Sequence, residues 1–171
     1  KARLLFVWLA AYDLLELDDK NPPKGSVREQ LLEVHKSATY TTFYIELCKL
    51  AKLEAKLIKG IGRSGKPGED VAKNGSSSWV AVLINQAWRL FDPHWAARAQ
   101  NTGEAKVDTS LKYSYNDHYF LTNPEEFIYT HFPFKEKWQL LARPVTRLEF
   151  NELASLQPAF FRKGLRLKSH R

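Results

Sequence analysis

Apolar positions recur at helical spacing in the first third of the chain and at strand spacing in the middle. Leu4, Leu5, Val7, Trp8, Ala11, Tyr12 and Leu15 predict an opening amphipathic helix over 3–15, packed on a core through a wide apolar face. A polar stretch with proline and glycine over 18–25 breaks the period, and 27–35 reads as a second, short helix. Tyr40, Phe43, Tyr44, Leu47, Cys48, Leu50 and Ala51 then repeat at three and four, which predicts a helix over 40–53 with Cys48 on its buried face.

Residues 57–61 form a short apolar run ending at a glycine and read as a strand; 63–77, rich in Gly, Lys and Ser, reads as an exposed loop. Two strands over 79–84 and 87–91 joined by Asn85-Gln86 make a hairpin, bulky on both faces, as expected of a sheet covered on two sides. Asn123-Pro124-Glu125-Glu126 is a helix start, with an N-cap side chain, a first-turn proline and acids facing the dipole, and it predicts a short helix through Thr130. Thr146 and Glu149 stand at capping-box spacing before another short helix, and 156–167 closes in mixed apolar and basic residues. There is no internal repeat. Helices, then strands, then short helices and loops predict an α+β fold, with a central antiparallel sheet against the 40–53 helix.

A chain of 171 residues, 44% apolar, is long enough for one sizeable core, so 1–171 is expected to form a single domain. It begins at Lys1 and contains no methionine, which reads as a piece of a longer multidomain chain. No apolar run approaches the roughly 18 residues of a membrane span. The net charge of +7 suggests nucleic acid until its position is considered: Arg162, Lys163, Arg166, Lys168 and Arg171 lie in the last ten residues, and without them the net charge is +2. The surplus reads as a solvated tail, with a basic module on an acidic surface as the alternative, and nucleic acid is not expected as a partner. The single cysteine, Cys48, excludes an internal disulfide and a Cys-based zinc cage, and fits a reducing, cytoplasmic compartment. No cofactor is expected. His118 and His131, 13 residues apart among aromatics, lack further ligands in ordered spacing and read as structural histidines, so no metal is expected.

A helix after an exposed turn, followed by a hairpin ending in aspartate, is the layout of enzymes that set a thiolate at a helix N-terminus, a histidine on a neighbouring strand and a carboxylate on the next. Ser37-Ala38-Thr39-Tyr40 through Leu47-Cys48, Ser77-Ser78-Trp79-Val80-Ala81-Val82, and Trp88-Arg89-Leu90-Phe91-Asp92-Pro93-His94-Trp95 follow that order. Beyond those three positions stand His118 through Ile128, His131-Phe132-Pro133, Lys137-Trp138-Gln139-Leu140-Leu141, and Pro158-Ala159-Phe160-Phe161 before Gly164-Leu165. On these strings the chain resembles the transglutaminase-like domain of the kyphoscoliosis peptidase and hillarin family, within the papain-like superfamily, over nearly its whole length.

The resemblance places Ser37 where the family has its Cys-x-Gly-Tyr or Cys-x-Gly-Phe nucleophile and Ser77 where it has the histidine of His-Ala-Trp-Asn-x-Val; Asp92 alone is retained. A serine hydroxyl needs an adjacent base, and here the base position is also serine, so the resemblance implies an inactive domain. Ser37 then reads as a helix cap at the old nucleophile position. Cys48 lies 11 residues beyond Ser37, about three turns along, and reads as a core residue. His94 follows Asp92 by two, but Pro93 ends the strand between them. The alternative is an active cysteine-type peptidase or transglutaminase with an unrecognised nucleophile or base. For function the resemblance implies a protein-binding, cytoskeletal role with actin- or filamin-associated partners. Tyr113, Tyr115, Phe132, Phe134 and Trp138, with Arg162, Lys163 and Arg166 at the rim, are the candidate interaction surface.

Overall fold

The structure is a computed structural model. It describes residues 1–12, 21–37, 40–63, 76–100, 111–113 and 115–167, with backbone alone at 34–37, 98–100 and 111–113. The fold is α+β. Three helices, α1 (Ala2–Ala11), α2 (Val27–Ser37) and α3 (Tyr40–Leu50), precede an antiparallel sheet of β1 (Ala55–Gly62), β2 (Ser76–Ile84), β3 (Ala87–Phe91), β6 (Phe120–Thr122) and β7 (His131–Pro133). The strand order is β6-β3-β2-β1-β7, so β2 is central and four of its residues, Trp79 to Val82, are fully buried. A helix α4 (Pro93–Ala97) and a two-stranded ribbon, β4 (Arg98–Gln100) with β5 (Leu111–Tyr113), stand between β3 and β6. Short helices α5 (Pro124–Phe127), α6 (Arg147–Glu152) and α7 (Pro158–Arg162) complete the chain.

Several local signals are realised as read. Asn85 and Gln86 both take positive φ, +49° and +63°, the backbone of a two-residue hairpin turn whose twist matches the strands it joins. The Asn123 side chain accepts from Glu125 N at 3.0 Å, with Pro124 opening α5. At α6 the capping box is complete: Glu149 N donates to Thr146 Oγ1 at 3.2 Å and Thr146 N to Glu149 Oε2 at 2.8 Å. These bonds, with Arg143 at 2.7 Å, hold the Glu149 carboxyl down at about 2.

Other expectations are corrected. The first helix ends at Ala11, with Tyr12 extended, and Leu15 lies outside the described residues. Its buried face is Ala2, Phe6, Leu9 and Ala10, whereas Leu4 and Trp8, read as core-facing, are 77% and 41% exposed. The helix is apolar almost all round, so its own period cannot choose a face. Phe6 makes the choice by seating its ring against Tyr44, Phe91 and Phe120 at 5.3–5.9 Å. Helix α3 stops at Leu50 and not at Leu53, because Lys52 turns left-handed and Leu53 N closes on Cys48 O at 2.9 Å. Leu50 consequently points to solvent, while Cys48 is buried as expected. The exposed loop read over 63–77 gives up Ser76 and Ser77 to β2, where they pair with Ile61 and Gly60; 64–75 lie outside the described residues. The short helix from Pro124 ends at Phe127, and a turn carries the chain on to Thr130.

Candidate functional site

Strand alternation brings the chemistry to one face of the sheet. Ser77 and Trp79 share a face of β2, and their partners on β1 are Gly60 and Ile58. Gly62 continues that face and pairs with His131 of β7, as Gly60 pairs with Pro133. A side chain at Gly60 would run into the Trp79 ring and the Phe132 carbonyl, so glycine there lets β2 and β7 close over β1. At Gly62 a Cβ would meet the Trp95 ring at 3.1 Å and Ser77 Oγ at 3.4 Å. Ser77, Trp95 and His131 therefore surround one point of the sheet.

Asp92 follows β3 by one residue and turns to the same face as Leu90. It is fully buried, and both its carboxylate oxygens are occupied. Trp95 N donates to Oδ1 at 2.9 Å, which caps α4, and His131 Nε2 meets Oδ2 at 2.9 Å. On the other side of the ring, His131 Nδ1 lies 2.7 Å from the Thr130 hydroxyl, which also donates to Phe127 O at 3.3 Å. His131 is also fully buried, stacked on Phe127 at 3.9 Å and edged by Trp95 at 4.5 Å and Trp79 at 5.0 Å. Both ring nitrogens of His131 thus have a hydrogen-bond partner inside the protein.

The N-terminal turn of α3 borders the same region. Thr41 Oγ1 donates to Ser78 O at 3.3 Å, one residue from Ser77, and the Tyr40 ring lies 5.7 Å from that of His94, two residues from Asp92. Ser37 is the last residue of α2, three residues before Tyr40; its side chain is not among those described. Pro93 opens α4, so His94 leaves the strand before it can share a face with Asp92. Cys48 sits away from this point, beside Tyr44 in the core, and burial pushes its thiol up to about 11, so it stays protonated at neutral pH. Among the described residues no three His, Cys, Asp or Glu side chains are grouped to hold a metal ion, and no helix is long and apolar enough to cross a membrane.

The candidate interaction residues are spread. Phe134 is 57% exposed on the β7 side, while Phe132 packs on Phe150 at 5.1 Å and Trp138 stands edge-on to Trp88 at 5.2 Å. Tyr115, half-buried and bonded to Asp117 at 2.5 Å, precedes β6 at the opposite edge of the sheet. The side chain of Tyr113 lies outside the description. Arg162, Lys163 and Arg166 are exposed. The pairing that sequence reading missed is His131 with Asp92: the His-Phe-Pro string was visible, but nothing local indicates a partner 39 residues earlier.

The chain is 38% identical to hillarin of Drosophila melanogaster over 96% of its own length and 22% of that protein. It is 33% identical to the Lim and transglutaminase domain protein ltd-1 of Caenorhabditis elegans over 96% of its own length and 24% of that protein. With the kyphoscoliosis peptidase of Homo sapiens it shares 26% identity over 99% of the chain and 26% of the peptidase. The chain thus spans about a quarter of the length of these relatives. No family model matches it.

Proposed function

As the chain belongs to the hillarin and kyphoscoliosis peptidase family, we propose that it is a catalytically inactive transglutaminase-like domain that works as a protein-binding module of the cytoskeleton. The observation that carries this reading is the state of Asp92. The residue matched to the family's orienting carboxylate is buried and bonded through Oδ2 to His131, while the position matched to the catalytic histidine holds Ser77. An orienting carboxylate acts by fixing the tautomer of a histidine that reaches the nucleophile; here it fixes one whose other nitrogen ends on Thr130. Ser37, matched to the nucleophile, has no imidazole at the matched base position to take its proton.

An antiparallel sheet with α3 against its centre and the α3 N-terminus beside Ser78 and His94 fits a papain-like arrangement. In the relatives such a region is about a quarter of a longer polypeptide, the setting for one domain among several, 1–171 here. Cytoplasmic location and actin- or filamin-associated partners follow from the family resemblance.

Two assays test the reading together: hydrolysis of casein, and incorporation of a fluorescent primary amine into casein. Neither product is expected above a no-protein control, while the immobilised chain retains cytoskeletal proteins from a cell extract. Turnover that disappears in Ser37→Ala would overturn the proposal, and so would the absence of any retained cytoskeletal protein.

A further inference from the structure

A second feature lies outside the Ser77–Asp92–His131 region. An open groove of about 1060 Å³ runs between α5, residues 141–145, α6 and α7. Its apolar walls include Ile128, Tyr129, Leu153, Phe160 and Leu165. Leu165 and Leu167, also in the lining, are 51% and 37% exposed, so apolar area remains for an occupant to cover. The groove is too open to enclose most of a small molecule as a ligand pocket does, and its breadth suits a peptide segment.

Its charge is opposite to that of the chain as a whole. Glu125, Glu126, Glu149 and Glu152 line it against Arg143 and Arg166, and Arg143 is already paired with Glu149 at 2.7 Å. A protein of net charge +7 thus carries an acid-rimmed apolar groove. Glu126, a partly exposed residue of the lining, stands beside the buried His118, 3.9 Å from Nδ1, and partial burial raises its carboxyl pKa. Lysine and arginine side chains answer such a rim, with aliphatic side chains between them answering the walls.

Deepening the binding-module reading on which it rests, we infer that this groove docks a basic amphipathic segment of a partner protein, with aliphatic residues at three- and four-residue spacing flanked by Lys and Arg. The walls supply burial and the glutamates supply orientation and sign. Acidic segments are repelled by the same rim.

The test uses the whole chain, isotopically labelled, and a fluorescent synthetic peptide of leucine and lysine at helical spacing, beside its scrambled isomer and its Glu-for-Lys counterpart. The Lys peptide is expected to bind, to weaken with added salt, and to shift the amides of Ile128, Leu153 and Phe160. Glu125 and Glu152 are exposed, so Glu125→Gln/Glu152→Gln leaves the fold intact and is expected to weaken binding about fivefold, the scale of two exposed ion pairs. Equal binding of the Glu or scrambled peptide, an unaffected double variant, or shifts confined to other surfaces would each overturn the inference. If these amides shift with protein concentration and no peptide, the occupant is a second copy and the partner assignment fails. A negative peptide result while the turnover assay stays silent and cytoskeletal proteins are retained removes the groove alone. Turnover dependent on Ser37 removes the inactive-module reading and leaves the groove result standing.

Discussion

His131 Nε2 and Asp92 Oδ2 lie 2.9 Å apart with neither side chain exposed, joining the start of β7 to the residue after β3 across β2 and β1. A carboxylate buried this deeply needs a partner, because an unpaired charge in the interior costs several kcal/mol. Removing the histidine leaves that cost uncompensated and empties the space between Phe127, Trp79 and Trp95. His131→Ala is expected to destabilise the fold by about 3–5 kcal/mol in urea denaturation. A double-mutant cycle with Asp92→Asn should return a coupling above ~1 kcal/mol, and additivity would show that the two side chains act separately.

The same bond bears on attempts to restore chemistry. Ser37→Cys alone is expected to stay silent, since an unassisted thiol is largely protonated at neutral pH. Adding Ser77→His supplies a base, but the new imidazole must share Asp92 with Trp95 N and His131. Turnover of the fluorescent amine by the double variant is expected to remain far below that of an active transglutaminase. Full activity in that variant would show that Asp92 is free to orient a second histidine.

Cys48 is fully buried and its thiol is pushed up to about 11 by burial, partly offset by the Tyr44 hydroxyl. The native protein is expected to resist a thiol reagent at pH 8 and to react with one equivalent once denatured. Rapid labelling of the folded chain would contradict the burial of α3 against the sheet.

His118 provides a pH dependence of definite sign. Burial, with His131 and Arg162 adding repulsion, lowers its pKa from 6.5 to about 4. The folded state therefore favours the neutral ring, stacked against Phe161 with centroids 5.8 Å apart. Its contribution is whole above pH 6.5, falls as the unfolded chain takes up a proton that the folded chain refuses, and is gone below about 4. At full size it amounts to up to about 3 kcal/mol. Urea midpoints of wild type and His118→Asn at pH 7, 5.5 and 4.5 should converge as pH falls; parallel curves would show that the ring carries no proton linkage.

What the sequence determined by itself is what depends on neighbours within a turn or a hairpin. The left-handed pair Asn85-Gln86, the Asn123 cap before Pro124, the reciprocal Thr146–Glu149 bonds and the end of β3 at Phe91, two residues ahead of Pro93, each follow from side chains within four residues of the backbone they shape. The burial of Cys48 followed from helical period, because α3 carries polar residues on its other side. Tertiary structure decided the rest. Helix α1 is apolar on too many sides for its period to name a face, and the aromatic cluster of Tyr44, Phe91 and Phe120 selected Phe6 over Leu4 and Trp8. Asp92 and His131 meet, with Ser77 near the Trp95 ring on the same face, only because β1 pairs with β2 on one side and β7 on the other, with glycines at 60 and 62 leaving room between them. Local patterning ends at the reach of a side chain along its own segment, whereas the partner of a buried carboxylate is set by which strands the sheet places side by side.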